Sequence, residues 1–456
     1  MGSRKSEESI YKKDQMPKVI LIQPTQYSSE SGLLCKQKRI YLPGLALPLL
    51  AALTPPHWEV KLTIEVIEEV NFDEDCDLVG IGAMGHAIFR AMDIAKEFKE
   101  RGKTVFMGGY MVSMLPDFVR DYCDGVVIGD GEIAYPKLLS DYEKTGKIQS
   151  VYNFPLTNLN NLPIPRYELL TEKKIGYMLP VQAGRGCPHA CSYCSIACIY
   201  KGKYLSRPVE DVIRDIKRVK ELGFSRFFLI DDNIASQPDY MMELARRIKP
   251  LKMQWGSQCT LLIAKNEKLL NEVAASGCTI LSLGIESISQ EGLNALNKSW
   301  VKVNETAELL GKIQKKGIAI ASEMIIGTDG DTPQSIEATA EFAIKNKIPA
   351  PKFYILTPLP TTDFYKQMKS ENRLLHEDYR KYTAADCVFK PKNFTPEELE
   401  ASYKKLYKLV YSYPNIIKRN IFNKGILKNP FTYLFTFFGN LVYKKFINRG
   451  DAPNIL

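Results

Sequence analysis

The sequence has no uninterrupted run of about 18 apolar residues, the length that a membrane-spanning helix needs. It therefore predicts no spanning helix. Residues 1–16 are polar, lack the apolar core of a secretory signal, and are expected to form a disordered tail. Ten cysteines in 456 residues without such a signal indicate a reducing cytoplasm rather than a disulfide-bonded, exported protein.

Acidic residues are missing from residues 401–450, which contain ten Lys or Arg and no Asp or Glu. Without these ten, the 61 basic residues of the chain fall to 51, against 52 acidic ones, so the formal charge of +9 is a local property. Basic residues interleaved with Tyr, Phe, Ile and Leu suit a membrane surface, an anionic substrate or a nucleic acid. Removal of charge at Lys418, Arg419, Lys444 and Lys445 would test such a contact.

A second pair of metal-ligating cysteines is also missing. Cys187, Cys191 and Cys194 follow the spacing C-x3-C-x2-C, but Cys259 and Cys278 are isolated. Structural zinc sites usually combine two ligand pairs, so the pattern disfavours zinc. Three thiolates can instead hold three irons of a [4Fe-4S] cluster and leave the fourth iron open to a small molecule.

The run from Gly186 to Cys194 resembles the signature of the radical SAM superfamily, in which an aromatic residue, here Tyr193, precedes the third cysteine. The resemblance implies that the open iron binds S-adenosylmethionine (SAM), whose reductive cleavage releases a 5′-deoxyadenosyl radical. It also implies a one-electron reductant such as flavodoxin or ferredoxin. Cys198 could in principle supply a fourth ligand, but a free cysteine is more often a small buried hydrophobe, and we leave it out.

Short apolar runs ended by turn formers alternate with amphipathic stretches over most of the chain. Runs beginning at 18, 77, 104 and 125 predict a doubly wound, Rossmann-like α/β domain over residues 17–150, with ligand loops at the strand carboxyl ends. Residues 151–175, which include Leu162–Pro165, are interpreted as a linker because proline cannot continue a helix. Six further strand and helix units predict an open (β/α)6 partial barrel over residues 176–390, followed by a basic helical region over 391–456.

The loops of the first domain resemble the cobalamin-binding domain of B12-dependent radical SAM enzymes. The resemblance assigns cofactor contacts to Gly82, Gly108, Gly109, Gly129, Gly131 and Glu132. Glycine lets a flat corrin ring or its nucleotide tail approach the backbone closely, although a nucleotide would suit the same loops. The Asp-x-His-x-x-Gly motif of the methionine-synthase type of B12 module is absent, which implies cobalamin without a protein imidazole below the metal.

Two segments of the barrel, residues 228–233 and 283–287, resemble parts of the superfamily that face SAM. By this resemblance Glu286 is a candidate partner of the SAM ribose or amine, and the other candidate SAM contacts are Gly284, Ser287 and Gln258. Strand phase points Glu323 and Tyr354 towards the cavity, which makes them candidate catalytic residues, although a structural role fits each equally well. Asp331 and Thr332 are predicted to cap a helix.

The resemblance favours a cobalamin-dependent radical SAM enzyme that methylates an unactivated carbon of a small-molecule or lipid substrate. Alternatives are a radical SAM cyclase or carbon–carbon coupling enzyme without methyl transfer, and an RNA-modifying radical SAM enzyme. Nucleic acid is the less favoured partner because Cys35, Cys76 and Cys123 are too dispersed to hold a second cluster. The basic C-terminal region is expected to cap the barrel, with peripheral membrane contact of this cytoplasmic protein left open.

Overall fold

The computed structural model describes residues 16–28 and 31–449, so the predicted N-terminal tail lies almost entirely outside the described residues. The chain divides into two compact units, which meet between Leu179 and Pro180. The strands of the first unit are β1 Lys18–Gln23, β2 Glu59–Ile64, β3 Leu78–Gly82, β4 Thr104–Gly108, β5 Gly125–Ile128 and β6 Val151–Asn153. Its helices are α1 Ala46–Leu53, α2 Ala87–Glu100, α3 Tyr110–Met114, α4 Pro116–Val119, α5 Gly131–Thr145 and α6 Glu168–Thr171.

The first unit contains one six-stranded parallel sheet in the order β2-β1-β3-β4-β5-β6. Helix α2 covers it with apolar side chains at helical spacing, among them Ile88, Ala91 and Phe98. Strand order reverses between β1 and β3, the place in such a sheet where ligands bind outside the carboxyl ends of the strands. The predicted Rossmann-like architecture is confirmed.

One strand of this sheet lies in the segment that the sequence analysis assigned to a linker. Val151–Asn153 forms β6, which pairs in parallel with β5. Three residues, of which only Tyr152 is buried, give too short an alternation to be recognised next to a proline-rich stretch. The proposed domain limits otherwise stay a prediction.

The described residues of the second unit form eight strands and most of the longer helices. The strands are β7 Leu179–Val181, β8 Gly184–Gly186, β9 Tyr204–Ser206, β10 Arg226–Leu229, β11 Gln254–Thr260, β12 Cys278–Glu286, β13 Ala319–Ile326 and β14 Ala350–Ile355. The helices are α7 Ser195–Tyr200, α8 Val209–Glu221, α9 Pro238–Ile248, α10 Glu267–Ala275, α11 Gln290–Ala295, α12 Val303–Lys315, α13 Pro333–Lys345, α14 Asp363–Ser370, α15 Pro396–Val410, α16 Tyr413–Asn420 and α17 Pro430–Arg449.

Six of these strands form the sheet of the predicted partial barrel, in the order β14-β13-β12-β11-β10-β7. The pairs from β10 to β14 are parallel. Thr332 caps α13 as predicted: its side chain accepts from the Ser335 backbone N–H in a capping box. Asp331 accepts from the Thr328 backbone N–H at 2.9 Å and so closes the turn before this helix.

The C-terminal helices close the amino end of the barrel strands. Tyr411 Oη donates to the carbonyl oxygen of Pro351 at 2.6 Å, and Asn440 Nδ2 donates to that of Pro349 at 2.9 Å, both near the start of β14. A 3-10 turn, Lys424–Leu427, precedes α17. No helix among residues 16–28 and 31–449 combines the length and hydropathy of a membrane span.

Arg419, which the sequence analysis treated as a surface charge, is fully buried under this cap. Its guanidinium donates to the carbonyl oxygens of Ile348 and Pro349, each at 2.8 Å, and to Oδ1 of Asn440 at 2.9 Å. Burial lowers its pKa to about 10. Arg419 therefore binds the C-terminal helices to the barrel rather than contacting a partner.

Replacing Arg419 with methionine is expected to lower the free energy of unfolding by at least about 3 kcal/mol, because several buried carbonyl oxygens lose their donor. Chemical denaturation, followed through the unfolding transition of the second unit, measures this loss of free energy. The neighbouring Lys418 is exposed, and Lys418→Met should change stability by no more than about 0.5 kcal/mol. Equal effects of the two substitutions would contradict the structural role of Arg419.

Candidate active site

Two short strands position the cysteine loop at the start of the barrel. Strand β8 pairs with β9 in an antiparallel hairpin, and Cys187 follows β8 directly. Gly186 has a φ of 88°, and a Cβ there would lie 2.2 Å from the Lys203 carbonyl oxygen. A Cβ on Gly184 would meet the Tyr204 hydroxyl at 2.3 Å. Only glycine allows the hairpin to close this tightly.

The three predicted cluster ligands are free, half-buried thiols on the loop between β8 and α7. Burial raises the pKa of Cys191 to about 12, against the opposing effect of Lys298, and the charges of Cys194 and Cys187 raise it further. Burial also raises the pKa of Cys194. The thiols are thus close enough to influence one another's ionisation, and metal binding would favour their thiolate forms.

The described residues contain no group of three His, Cys, Asp or Glu side chains that could hold one metal ion. This geometry does not conflict with a cluster, because each thiolate of an iron–sulfur cluster binds its own iron and the three sulfur atoms need not meet at one ion. The donor set, three thiols on one short loop, fits a [4Fe-4S] cluster. Cys198 lies on α7, where its Sγ contacts the Thr361 carbonyl oxygen at 3.6 Å.

The loop after β10 holds the cysteine hairpin in place. The carboxylate of buried Asp231 accepts from the Ala183 backbone N–H at 2.8 Å, and that of Asp232 accepts from the Gly186 backbone N–H at 2.6 Å. Asn233 Nδ2 donates to Cys187 Sγ at 3.7 Å. Burial raises the pKa of Asp231 to about 6. The segment that was expected to face SAM therefore also anchors the cluster loop.

Replacing Asn233 with aspartate should make the reduction potential of the cluster more negative. Asn233 Oδ1 accepts hydrogen bonds from the Ala235 and Thr260 backbone N–H groups, and an aspartate oxygen can still accept them. The aspartate lacks the N–H donor to the Cys187 sulfur. Hydrogen bonds to cluster sulfurs tune the potential over a wide range. Potentiometric titration followed by EPR measures the shift, and an unchanged potential with full iron content would contradict this role.

Glu286 ends β12 as a buried carboxylate with an unusual backbone, a φ of 61°. Lys298 Nζ donates to its Oε1 at 2.7 Å and to the Gly284 carbonyl oxygen at 2.9 Å. The hydroxyl of Tyr193, on the cysteine loop, also hydrogen-bonds to Glu286. Burial raises the pKa of Tyr193 well above its usual value, so this hydroxyl stays protonated. The geometry joins one predicted SAM contact to the cysteine loop.

Lys298 is a site residue that the sequence analysis missed. A lone lysine after a short helix carries no motif; only the fold brings it to Glu286. A Cβ on Gly284 would lie 2.4 Å from Glu286 Oε1 and 3.1 Å from Lys298 Nζ. Glycine at this position therefore makes room for the ion pair, whereas the sequence analysis expected it to make room for a cofactor. Nearby, the His189 and Trp300 rings stack 3.7 Å apart.

Ser287 and Gln258 have different surroundings. Ser287 is buried, and its Oγ accepts from the Ser289 backbone N–H at 3.0 Å, which gives it a turn-forming role. Gln258 is exposed on β11. The structure thus brings Glu286 to the cysteine loop but ties Ser287 into the turn before α11.

The barrel interior is open to solvent. Along β10 and β14, buried residues alternate with partly exposed ones. The buried set packs against the outer helices, so the partly exposed set faces inwards. Phe228 of β10 belongs to this set. On the strands between, Gln258 of β11 is exposed, and Ile280 and Ser282 of β12 are partly exposed.

Glu323 and Tyr354 meet inside this barrel, as their strand phases predicted. Glu323 accepts from Ser282 Oγ at 2.7 Å and from the Tyr354 hydroxyl, and Lys352 Nζ lies 3.7 Å from Glu323 Oε1. Burial and the Glu323 charge raise the pKa of Tyr354, which keeps its hydroxyl protonated. These residues form a polar group on three neighbouring strands, β12, β13 and β14.

The glycine loops of the first unit lie together at the carboxyl edge of its sheet. A side chain at each glycine would meet different neighbours. A Cβ on Gly109, which has a φ of 104°, would lie 2.5 Å from the Ala83 carbonyl oxygen. A Cβ on Gly82 would lie 3.2 Å from Leu47, one on Gly131 would lie 3.1 Å from Leu50, and one on Gly108 would lie 3.5 Å from Val127.

Gly129 alone of these predicted positions faces open space. It has a φ of 80°, no atom lies within 4 Å of its Cβ position, and its N–H donates to Ser113 Oγ at 2.8 Å. Glu132 lies in the first turn of α5, beside it. The same edge exposes Leu42 after β1, Met84 after β3 and Ile133 after β5. Exposed apolar side chains and an open glycine on the loops of one sheet edge fit a flat ring.

The sequence model of the Radical SAM superfamily matches residues 181–343. Bacteriochlorophyllide d C-12(1)-methyltransferase of Chlorobaculum tepidum is 29% identical over 88% of this chain and 89% of its own. Hopanoid C-2 methylase of Rhodopseudomonas palustris is 27% identical over 75% of this chain and 67% of its own.

A solved structure shares the fold. The radical SAM methyltransferase TsrM from Kitasatospora setae, solved with cobalamin and a [4Fe-4S] cluster bound, has a TM-score of 0.68 and 16% sequence identity, covering 87% of this chain and 89% of its own. The barrel, the cysteine loop and the matched domain define a radical SAM enzyme. Residues 181–343 form a radical SAM domain.

Proposed function

We propose that this enzyme is a cobalamin-dependent C-methyltransferase of an apolar substrate. The observation that carries the proposal is the carboxyl edge of the first sheet, whose loops present both exposed apolar side chains and the open face of Gly129. A radical SAM domain alone does not need such an edge. The names of two relatives, both methyl-transferring enzymes, support the same reaction class.

Cys187, Cys191 and Cys194 are assigned to the [4Fe-4S] cluster, and the carboxyl edge of the first sheet to cobalamin. When bound, these groups and SAM supply the radical and methyl-transfer chemistry, while the protein supplies position and exclusion of water. Asn233 and the Asp231 loop orient the cysteines, because their hydrogen bonds fix the hairpin that precedes Cys187.

Glu286 is proposed to bind the SAM ribose or amine. An ionised carboxylate accepts hydrogen bonds from ammonium or sugar hydroxyl groups, and hydrogen bonds between charged groups are stronger than those between neutral ones. Tyr193 and Lys298 hold the carboxylate in position. Lys298 is also proposed to meet the SAM carboxylate, because its ammonium lies close enough to the cysteine loop to lower the pKa of Cys191.

The substrate is proposed to bind in the barrel interior with its one polar group at Glu323 and Tyr354. The Tyr354 hydroxyl keeps its proton and donates it in a hydrogen bond to Glu323, so this pair offers acceptors, while Lys352 beside it offers donors. Phe228 and Ile280 provide apolar surface for the rest of the molecule. A small hydrophobic molecule or lipid fits this distribution, and a one-electron reductant such as flavodoxin or ferredoxin is proposed as the redox partner.

Product mass tests the reaction. The reconstituted protein, a reductant, and SAM with a deuterated methyl group are incubated with candidate apolar substrates. A product heavier by one labelled methyl group, with S-adenosylhomocysteine formed beside it, is the expected result. A product of unchanged carbon count would instead favour cyclisation or coupling and contradict methyl transfer.

A substitution at Gly129 tests the cobalamin edge. Gly129→Leu places a side chain over the open face and should reduce cobalt bound after reconstitution by at least about tenfold, as loss of close backbone approach predicts. Gly146 is the matched control, because it has a φ of 68° and open space at its Cβ but lies at the opposite end of α5. Gly146→Leu should cost about 1–2 kcal/mol of stability and leave cobalt unchanged.

Peripheral membrane contact through residues 401–450 is the last part of the proposal. The segment carries its ten basic residues without acidic ones. Its α17 exposes several large apolar side chains, a combination typical of helices that lie at a lipid surface.

A further inference from the structure

Helix α17 is packed with its polar face inwards. Its buried residues include Thr432, Thr436 and Asn440. Its outer face consists of Phe431, Leu434, Phe435, Phe438 and Val442, each between 41% and 61% exposed. A helix on a globular protein ordinarily does the reverse, with its apolar stripe towards the core.

Hydrogen bonds fix this orientation. Thr436 Oγ1 donates to Asn420 Oδ1 at 2.8 Å, Asn440 Nδ2 donates to the Pro349 carbonyl oxygen at 2.9 Å, and Arg419 donates to Asn440. Rotating the helix to bury its apolar side chains would leave these buried polar groups without partners, which is costly. The apolar outer face is therefore a stable property of the fold.

The outer face is continuous. From Phe431, its residues recur at i+3, i+4, i+7 and i+11, which places them along one side of the helix. Leu427, in the 3-10 turn before α17, is 86% exposed and extends the surface at its amino end. Contiguous exposed apolar surface of this kind marks an interaction site.

Charge selects the partner. Exposed Lys424 lies at the amino end of the outer face, and exposed Lys445 and Arg449 lie at its carboxyl end. A second copy of the chain would bring the same positive charges against them, whereas a surface of anionic lipid headgroups would neutralise them. Lysine and arginine side chains at the ends of an apolar helix face also reach headgroups easily.

We propose that the outer face of α17 docks into the headgroup layer of an anionic lipid bilayer, with the helix lying in the membrane plane. This inference deepens the membrane contact in the proposed function but does not depend on the cofactors. On the inner side of α17, Tyr443 lies close enough to Lys352 and Tyr354 of the barrel to influence their pKa values. The helix that carries the outer face therefore also lies beside the residues proposed to bind the substrate's polar group.

Vesicle sedimentation of the full-length protein tests the proposal. Vesicles of phosphatidylcholine alone are compared with vesicles that contain phosphatidylglycerol, and tighter binding to the anionic vesicles is expected. Phe435→Glu combined with Phe438→Glu should weaken binding by at least about tenfold, because it removes apolar burial and adds negative charge. Lys424→Glu combined with Lys445→Glu should abolish the preference for anionic vesicles, because it replaces two positive charges at the ends of the outer face with negative ones.

Leu375→Glu is the matched control, because Leu375 is 40% exposed on the same unit but not on α17. It should bind vesicles like the unchanged protein. Absence of vesicle binding, or equal weakening by the control, overturns the proposal. A dimer that the Phe435 and Phe438 substitutions dissociate would overturn it in favour of self-association. Iron, cobalt and SAM cleavage measured on the same samples separate this result from the proposed function, since vesicle binding without cobalt contradicts only the latter.

Discussion

Cys191→Ser is expected to remove nearly all cluster iron and to reduce SAM cleavage by more than about 100-fold. Even substitution of a residue that only hydrogen-bonds to a metal ligand typically lowers metal affinity or activity by about 10- to 100-fold. The cysteine lies on a loop that carries all three proposed ligands, and a cluster lacking one of them has no other donor of the same kind on that loop. Iron content, the visible absorption of the cluster, and formation of 5′-deoxyadenosine measure the effect.

Cys198 provides the matched control for that substitution. It lies four residues after Cys194, on α7, with its Sγ against the Thr361 carbonyl oxygen. Cys198→Ser should therefore retain full iron and SAM cleavage. Loss of iron in Cys198→Ser would make this residue a fourth ligand and would contradict the open iron on which SAM binding depends.

The ion pair between Glu286 and Lys298 should produce the second large effect. Both side chains are buried, so Glu286→Gln or Lys298→Met alone leaves a charge without its partner and should cost about 3–5 kcal/mol of stability. SAM cleavage should be lost in both variants. Denaturation and SAM binding to the reconstituted protein measure the two effects separately.

The double substitution Glu286→Gln and Lys298→Met separates stability from SAM binding. Removing both charges of a buried pair is often neutral for stability, so the double variant should regain most of the stability that each single variant loses. It should still fail to bind SAM, because the proposed partners of the SAM polar groups are gone. Recovery of SAM binding with stability would show that the pair is only structural.

The sequence predicted the repeating elements of both units because their strands are apolar runs with clear turn residues at their ends. It missed the β8–β9 hairpin, since three-residue strands built around Gly184 and Gly186 have no periodicity to detect. The first strand of the barrel sheet is equally short, at Leu179–Val181. The glycines looked like ligand-contact positions in the sequence, but contacts such as that of Gly109 with Ala83 became visible only in the fold.

The candidate site was only partly predictable. Cysteine spacing identified Cys187, Cys191 and Cys194 as a group, because their chemistry and order carry a specific pattern. Lys298 could not be identified, because its partner Glu286 lies twelve residues away and meets it through a turn and a short helix. Arg419 was misjudged for a similar reason: a basic residue in a basic segment gives no sign that carbonyl oxygens enclose it.

The most direct test of the account is the iron and cobalt content of protein produced anaerobically with excess iron and hydroxocobalamin. The account predicts full cluster iron together with nearly one cobalt per chain, and formation of 5′-deoxyadenosine when SAM and a reductant are added. Full iron with SAM cleavage but without cobalt would keep the radical SAM assignment and contradict the cobalamin-dependent methyl transfer.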